Sequence, residues 1–166
     1  MTFAFSTKRL CVSEYMVRQC STDSSGLLRA IVDILKPEVV EHLPPYFHNI
    51  DSTVLAQAWL DRMLQDSRLF LVERQNGGVV GFIFASTGHP DQSHIGYVLA
   101  ETCWGKGLAS EMLCAFVDEM RTEAHWQRLL AGVDRSNTAS LKVLEKCGFT
   151  RREIDESGMI FYQYLL

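Results

Sequence analysis

The sequence predicts one mixed α/β domain built on a central sheet of about seven strands. Its 166 residues fit a single hydrophobic core, since cores of roughly 100–200 residues are the usual size. Segments with the alternating pattern of strands and segments with the 3.6-residue period of helices follow one another along the chain. Their order is one strand, two helices, three antiparallel strands, a helix, a strand, a helix and two strands. Neither a linker nor an internal repeat divides this series.

The first strand and the first two helices precede the hairpin of the sheet. Alternation of apolar and polar side chains over residues 8–15 predicts a strand. Apolar residues at helical spacing over 27–35 predict a helix, whose free N–H groups the serines and aspartate of 21–25 would cap. Pro37 ends that helix, because a proline ring does not fit a helix interior. A second amphipathic helix covers residues 54–64.

A hairpin and a further strand follow these helices. Residues 68–73 and 79–86 are rich in β-branched and aromatic residues, and Asn76-Gly77-Gly78 lies between them. Asn and Gly tolerate the positive φ angles of tight turns, so this pattern predicts a β-hairpin. Residues 95–100 predict the third strand of the antiparallel group.

The strongest helix signal of the chain lies over residues 107–120. Leu108, Met112, Phe116 and Met120 recur there at every fourth position and form one apolar line. The remaining patterns predict a strand over 129–133, a helix over 137–147 closed by Gly148, and a final strand pair over 149–154 and 159–165.

Composition and charge limit the class of protein. Hydrophobic residues make up 47% of the chain and charged residues 22%, which is ordinary for a globular protein and too apolar for a disordered one. The formal net charge of -4 gives no general attraction to phosphates, so we expect no direct binding to nucleic acid. No apolar stretch approaches the ~20 residues that cross a bilayer, and the first ten residues lack the apolar run of a signal peptide. We therefore expect a soluble, cytoplasmic protein that does not associate with membranes.

Five cysteines are scattered along the sequence, at positions 11, 20, 103, 114 and 147. No two of them form a C-x-x-C pair, so the sequence predicts neither a zinc site nor a thioredoxin-like motif, and we expect no metal. Their odd number and scattered positions favour reduced thiols, as is usual in the cytoplasm.

The segment from Trp104 to Ser110 has the pattern of a phosphate-binding turn. A strand that ends near Ala100 is followed by Gly105-Lys106-Gly107 and then by the long helix. Unpaired N–H groups and the helix dipole make such a helix start attractive to anions. The two glycines let the backbone approach an anion, and the lysine adds a positive charge. The same pattern also fits a glycine turn that only begins a buried helix.

Three motifs resemble the GNAT family of N-acetyltransferases in their order and separation. They are Gly96-Tyr97-Val98-Leu99-Ala100-Glu101, Trp104-Gly105-Lys106-Gly107-Leu108-Ala109, and Asn137-Thr138-Ala139-Ser140 with Val143-Leu144-Glu145-Lys146-Cys147-Gly148-Phe149. The chain is most similar to the branch that acetylates the N-termini of ribosomal proteins. Pro37-Glu38-Val39-Val40, Leu43-Pro44 and Trp59-Leu60 extend this similarity over nearly the whole chain. The resemblance implies a single GNAT-like domain over residues 1–166, with helices on both faces of a mixed sheet.

The resemblance also implies a co-substrate, acetyl-CoA, and the residues that hold it. The backbone of Val98 and Leu99 would hydrogen-bond the pantetheine arm where two strands splay apart. Asn137 would bond the pantetheine region through its side chain, unless it serves only as the N-cap of its helix. The pyrophosphate would be held by the amides of a turn that opens with Trp104, in place of the family's Gln or Arg: Gly105, Lys106, Gly107, Leu108, Ala109 and Ser110.

The implied reaction is a direct attack of a primary amine on the thioester carbonyl of acetyl-CoA. Positioning, and a Val98 or Leu99 amide aimed at the developing oxyanion, would supply most of the rate. Ser140 is the candidate acid for the leaving thiolate. For the base, the sequence offers only His94, Glu101 or water.

Two departures from the family pattern leave other interpretations open. Related alanine N-terminal acetyltransferases carry a glutamate where this chain has Gly132, and a tyrosine acid where it has Leu144. Ser140 also fits a solvated residue of a first helical turn, His94 a loop histidine, and Glu101 a surface charge. A CoA-binding regulatory module without turnover is therefore an alternative, and a nucleic-acid-associated protein is a weaker one.

The acceptor amine is left open by the sequence. A protein N-terminus, a polyamine, an aminoglycoside or another small-molecule amine suits this branch, as either a monomer or a homodimer. The irregular stretch that contains Tyr46 and His48 lines the acceptor site in relatives, so it is the predicted specificity region.

Overall fold

The computed structural model of the chain describes residues 3–17, 24–123 and 125–166, and it shows an eight-stranded sheet. The strands are β1 Ala4–Ser6, β2 Leu10–Glu14, β3 Ser67–Arg74, β4 Val79–Ser86, β5 Gln92–Leu99, β6 Arg128–Asp134, β7 Thr150–Ile154 and β8 Met159–Leu165. Their order across the sheet is β1-β2-β3-β4-β5-β6-β8-β7. The β5–β6 pair is parallel, and the other described pairs are antiparallel.

Helices follow β2, β5 and β6 along the chain. They are α1 Ser24–Ile34, α2 Pro37–Val40, α3 Thr53–Asp66, α4 Leu108–Glu123 and α5 Thr138–Lys146, with short 3₁₀ turns at Pro45–Phe47 and Glu101–Cys103. The hydroxyl of Ser52 caps α3 by accepting the N–H of Leu55 at 3.3 Å. Within the described residues, no helix is long and apolar enough to cross a membrane.

The helices lie on both faces of the sheet, because successive side chains of a strand point to opposite sides. On one face, α4 and α5 pack through a core that includes the fully buried Phe116 and Leu144. On the other face, α1, α2 and α3 pack through a second cluster that includes Trp59. Neighbouring residues of β5 are divided between the two cores, Leu99 to the first and Val98 to the second.

The mixed sheet, the order of its elements and the helices on both faces confirm the predicted fold class, but the strand count differs. Ala4–Ser6 adds an eighth strand antiparallel to β2, and three residues are too few for alternation to reveal it. β5 begins at Gln92, earlier than predicted, because Gln92 pairs with Arg128 of β6. Ser93 also belongs to this extension. It is buried and donates its hydroxyl to the carbonyl of Ser86 at 2.9 Å.

The expectation of reduced thiols is wrong for two of the cysteines. Cys114 of α4 and Cys147, the C-cap of α5, form a disulfide with their Cα atoms 5.0 Å apart. They are 33 residues apart in the sequence, so the pair depends on the packing of two helices, which cysteine spacing does not reveal. Cys11 and Cys103 are free cysteines.

Glycine turns and caps follow the prediction where they are described. Gly77 and Gly78 have φ angles of 113° and 83° between β3 and β4, which confirms the hairpin turn. Gly148 ends α5 with φ of 87°. The predicted cap of α1 at 21–25 lies largely outside the described residues, which resume at residue 24.

Candidate active site

A cleft opens in the middle of the sheet where β5 and β6 stop pairing. Their parallel pairing covers residues 92–94 of β5 and 128–130 of β6. Beyond it, residues 95–99 of β5 still pair with β4 on their other side, while β6 stays paired with β8 to its end. One edge of each strand therefore faces the other across the cleft, and its backbone groups are available to a ligand.

The pairing of β4 with β5 decides which backbone groups point into this cleft. In an antiparallel pair, residues that exchange hydrogen bonds alternate with residues that do not. Ala100 donates its N–H to Val80 at 2.8 Å, so the N–H and C=O of Val98, two residues earlier, also point toward β4. The backbone groups of Leu99 and Tyr97 point the other way. Leu99 is therefore the better placed of the two predicted oxyanion donors.

The glycine turn before α4 closes one end of the cleft. Gly105 and Gly107 have φ angles of 68° and 75°, a region that L side chains disfavour. A Cβ added at Gly105 would meet no described atom within 4 Å, and one at Gly107 would meet the Arg9 guanidinium at 3.7 Å. The indole N–H of Trp104 donates to the carbonyl of Leu99 at 3.0 Å and fastens the turn to the end of β5. The turn thus presents bare backbone to the cavity.

An ion pair from the N-terminal hairpin holds this turn in place. Glu111, in the first turn of α4, accepts from Nε of Arg9 at 2.7 Å and from the hydroxyl of Thr7 at 2.7 Å. Nη1 of Arg9 also donates to the carbonyl of Lys106 at 2.9 Å. Desolvation alone would raise the pKa of the Glu111 carboxyl, but the hydrogen bonds from Thr7 and Arg9 together lower it below its ordinary value of 4.5. The anchor is therefore charged at neutral pH.

One cavity of about 690 Å³ joins the cleft to the glycine turn. Its walls come from β5, β6, the turn, the first turns of α4 and α5, and residues 38–43 in and after α2. The predicted co-substrate residues that line it are Val98, Leu99, Trp104, Gly105, Gly107, Leu108, Ala109, Ser110 and Asn137. Lys106 does not line it, and its ammonium donates instead to the carbonyl of Thr102 at 2.6 Å. The lysine charge is therefore not directed at an anion in the turn, contrary to the sequence-based expectation.

Charge is distributed unevenly around this cavity. The described residues that line it include four carboxylates but no lysine or arginine: Glu38, Glu41, Glu101 and Asp134. An anion at the glycine turn would thus be held by backbone N–H groups and the dipole of α4. The part of the cavity lined by α2 and the end of β6 favours a cation. Within the described residues, no cluster of His, Cys, Asp and Glu could hold a metal ion.

The start of α5 contributes polar groups to the middle of the cavity. Oδ1 of Asn137 accepts the N–H of Ser140 at 3.2 Å, so Asn137 is the N-cap of α5. This bond uses only the amide oxygen, and the Nδ2 group remains a donor for a ligand. Ser140 lines the cavity one turn further on.

Tyr97 of β5 also lines the cavity, and the sequence does not identify it as a functional side chain. Its hydroxyl is inaccessible to solvent and makes no hydrogen bond of ordinary geometry with the described residues. Burial raises the pKa of this phenol above its ordinary value of 10.0, and interaction with the Ser140 hydroxyl opposes the shift. The raised pKa keeps this phenol protonated at neutral pH, so it holds a proton beside Ser140 inside the cavity.

The two predicted bases lie in different places. Glu101 lines the cavity next to the glycine turn. His94 is exposed on the part of β5 that pairs with β6, opposite Leu130, and it is not among the residues that line the cavity. The structure therefore brings Glu101 and Ser140 to one cavity and leaves His94 outside it.

Three polar residues missed by sequence reasoning line the α2 end of the cavity. They are His42, Asp134 and Ser136. The Ser136 hydroxyl donates to Asp134 at 2.5 Å, and its oxygen lies 3.4 Å from Nδ1 of His42. His42 is 94 residues from Ser136, so local pattern does not connect them. The one available signal was the polar run from Asp134 to Asn137 between a predicted strand and a predicted helix, where functional side chains are common.

The positions at which the resemblance places a glutamate and a tyrosine also line the cavity. Gly132 carries no side chain, and a Cβ there would lie 3.1 Å from Cε1 of Phe161. Leu144 is fully buried in the core. Neither residue can exchange a proton, so any acid or base must come from other residues of the cavity.

The chain matches the family model of the acetyltransferase (GNAT) domain over residues 18–150. It belongs to the GNAT acetyltransferase family. Over 60 residues it is also 37% identical to an uncharacterized N-acetyltransferase, p20, of Bacillus licheniformis. That alignment covers 36% of this chain and about a third (34%) of the length of p20.

Solved structures share the fold of this GNAT domain. An acetyltransferase of the GNAT family from Bacillus anthracis superposes with a TM-score of 0.79 at 18% identity, over 98% of each chain. RimL, a ribosomal L7/L12 alpha-N-protein acetyltransferase in complex with coenzyme A, gives 0.78 at 15% identity, over 99% of this chain and 98% of that one. The spermidine N-acetyltransferase SpeG from Vibrio cholerae, as a point mutant, gives 0.73 at 16%, over 94% and 93%.

Proposed function

We propose that this GNAT protein transfers an acetyl group from acetyl-CoA to a primary amine by direct attack of the amine. The observation that carries the proposal is that the free edge of β5 and the glycine turn of α4 open into one cavity. A strand edge suits the amide groups of a pantetheine arm, and a helix start suits a pyrophosphate. A volume of about 690 Å³ also lies in the range of sites for organic ligands.

The co-substrate would lie along β5 with its phosphates at the turn. The alternation of β5 favours the backbone of Tyr97, rather than that of Val98, as the partner of the pantetheine amides. The Leu99 carbonyl already accepts the indole N–H of Trp104, and the Leu99 N–H is left for the thioester oxygen. Nδ2 of Asn137 would donate from the opposite wall while its oxygen caps α5. The N–H groups from Gly105 to Ser110 would hold the pyrophosphate without help from a lysine side chain.

The acetyl transfer requires three proton movements besides the attack: two from the acceptor nitrogen and one to the leaving thiolate. The amine nitrogen forms a bond to the thioester carbon, and the carbon–sulfur bond breaks through a tetrahedral intermediate whose oxyanion the Leu99 N–H would stabilise. As the intermediate collapses, its nitrogen loses a second proton to water, and the CoA thiolate takes a proton from the Ser140 hydroxyl. The buried phenol of Tyr97 would resupply Ser140 and regain its own proton from solvent after the products leave. An alkyl ammonium must first lose a proton to become a nucleophile, so a base is needed at the acceptor end.

The acceptor would be a cationic amine. Glu38, Glu41 and Asp134 line the α2 end of the cavity, and lysine and arginine are lacking among the described residues that line it. Carboxylates raise the local concentration of a cation and orient it. A ribosomal protein's N-terminus and spermidine, the acceptors named for two proteins of this fold, both satisfy this charge requirement.

A CoA-binding module without turnover is the alternative. Gly132 and Leu144 motivate it, because these positions carry no proton-exchanging group. The two functions differ in one measurement, which is release of CoA thiol from acetyl-CoA in the presence of spermidine, benzylamine and an alanyl tripeptide. Turnover above the amine-free rate with any of the three excludes the binding module, and its absence with all three counts against the enzyme.

The substitution Asn137→Asp tests the binding mode separately from turnover. A carboxylate still accepts the Ser140 N–H, so the cap and the stability of α5 should persist. The donor at Nδ2 is lost, and we expect about tenfold weaker acetyl-CoA binding by titration calorimetry, as for one hydrogen bond plus an unfavourable charge. Wild-type affinity in this variant would remove Asn137 from the proposed site, and thermal melts of both proteins control for folding.

A further inference from the structure

The α2 end of the cavity holds a chain of three polar side chains from two distant parts of the sequence. His42 follows α2, and its side chain is 31% exposed, so it is accessible but partly enclosed. Asp134 ends β6, and Ser136 lies in the loop between β6 and α5. All three line the cavity that the proposed function assigns to acetyl-CoA and its acceptor.

The number of protons on each group decides which one donates in these two hydrogen bonds. A serine hydroxyl has one proton, and that of Ser136 is donated to Asp134 at 2.5 Å. The Ser136 oxygen can therefore only accept from Nδ1 of His42, 3.4 Å away. This contact is long for a hydrogen bond, and such contacts commonly tighten when substrate binds. A proton held on Nδ1 leaves the lone pair of Nε2 as the basic nitrogen of the ring.

The surroundings of Nε2 suit a proton acceptor. A carboxylate oxygen of Glu41 lies 3.9 Å from Nε2, and Asp134 lies beyond Ser136 on the other side. Hydrogen bonds from the Ser136 hydroxyl and backbone N–H lower the pKa of Asp134, and the charges of His42 and Arg135 add to this effect. Both carboxylates would stabilise an imidazolium once it forms, in the way that a third group orients and supports a base in catalytic triads.

We propose that His42 is the general base of this acetyltransferase, oriented by Ser136 and Asp134. Nε2 takes one proton from the acceptor ammonium and passes it to solvent, and the freed nitrogen lone pair forms the new bond to the acetyl carbon. The same nitrogen loses its second proton to water as the carbon–sulfur bond of the tetrahedral intermediate breaks. Ser136 is a positioning residue, since it acts on the acceptor only through the ring of His42. The inference rests on the proposed function, because it assigns a role within that reaction.

His42 is the one histidine among the described residues that line the cavity. A general base works best when its basicity matches the operating pH, and imidazole is the ordinary side-chain group that exchanges protons near neutrality. His94 and His89, by contrast, are exposed and lie outside the lining. The assignment thus follows from where the fold places one imidazole.

The experiment compares His42→Gln with the wild type and with His89→Gln as a control for loss of a histidine elsewhere. Rates are measured with whichever of spermidine, benzylamine and the alanyl tripeptide is turned over fastest. We expect kcat of His42→Gln to fall by about 10²–10⁴-fold, as for removal of a general base, while the Kd of acetyl-CoA stays within about threefold. Imidazole added to His42→Ala should restore part of kcat, which a structural role would not produce.

Ser136 provides a second variant that keeps the inference testable if His42 variants fold poorly. Ser136 is exposed, so Ser136→Ala should fold normally. It should lower kcat by about tenfold without changing the Kd of acetyl-CoA, and Ser136→Thr should recover the loss because it keeps the hydroxyl.

The outcomes distinguish failure of the role assigned to His42 from failure of the proposed acetyltransferase function. Wild-type turnover with a His42→Gln rate within about threefold of it would overturn the role of His42 and leave the proposed function standing. A loss of kcat that imidazole does not restore, accompanied by weaker acetyl-CoA binding, would assign His42 a structural role and overturn the inference as well. Absence of turnover by the wild type with every amine would instead refute the proposed function itself.

Discussion

Replacement of Gly107 by glutamate would test the glycine turn as a phosphate site. A side chain there begins at a Cβ that is 3.7 Å from Nη2 of Arg9, and its φ of 75° is strained for any L residue. Gly107→Gln is the matched control, because glutamine has the same shape as glutamate without the charge. Both variants carry the same backbone strain, about 1–2 kcal/mol. The difference between them therefore isolates the charge.

The magnitude follows from the position of that charge. A carboxylate about 5 Å from one phosphate charge is repelled by roughly 3 kcal/mol at an effective dielectric constant near 20. Pairing of the new carboxylate with Arg9 and screening by salt offset part of this repulsion. We expect a net penalty of about 2 kcal/mol, which makes acetyl-CoA binding roughly 30-fold weaker in Gly107→Glu than in Gly107→Gln.

Titration calorimetry at two ionic strengths measures this difference directly. The gap between the two variants should shrink as salt is added, because the interaction is electrostatic and partly exposed. Thermal melts show whether both variants are folded at the temperature of the titration. Equal affinities of the two variants at low salt would mean that no phosphate lies at the turn, and the proposed binding mode would be wrong.

Three further predictions concern the anchor, the disulfide and the buried phenol. Glu111→Gln should reduce the loss of folding stability on acidification, because the lowered folded-state pKa of Glu111 contributes stability that is present above the ordinary value of 4.5 and is lost as pH falls through the folded value. Urea titrations between about pH 3 and 7 measure this dependence, and the same dependence in the variant as in the wild type would contradict the role of Glu111 as an anchor. Replacing both Cys114 and Cys147 by serine should lower the free energy of unfolding by about 3–4 kcal/mol, because the cross-link restricts the unfolded chain, whereas Cys11→Ser should not lower it. Denaturant titrations compare the wild type with the two variants, and equal stability of all three proteins would argue against the cross-link. Tyr97→Phe should lower kcat more than it weakens acetyl-CoA binding, and a variant with wild-type kcat would leave the phenol only a packing role. The same variant should lose less folding stability above pH 10.0 than the wild type, since the raised folded-state pKa of Tyr97 gives stability that disappears as pH rises through the folded value.

Much of the fold was predictable because its signals are local. The period of α4 is visible in residues 107–120 alone, and the glycines at 77 and 78 mark the hairpin by their tolerance of positive φ. The glycine turn and the cap at Asn137 are also encoded within a few residues of the groups they serve. The strand at 4–6 escaped notice because its partner, not its own pattern, defines it.

The parts of the site that escaped prediction depend on distances between elements. The direction of the Lys106 ammonium is set by a carbonyl in the preceding 3₁₀ turn, so the presence of a lysine in the motif did not locate its charge. His42 meets Ser136 because the residues after α2 lie beside the loop that follows β6, although the two residues are 94 positions apart in the sequence. The choice of Leu99 over Val98 as a donor required the register between β4 and β5.

The cleft between β5 and β6 also has a consequence for how this protein can change over evolutionary time. Its existence depends on where a parallel ladder stops, and the groups it presents are largely N–H and C=O groups that every residue except proline supplies. Most substitutions along residues 95–99 would therefore alter packing before they alter the ligand contacts of the strand. The proposed acetyl-CoA site therefore tolerates wide sequence divergence along β5. If the α2 end binds the acceptor as proposed, new acceptor preferences can arise from a few side chains there, without changes in the rest of the site.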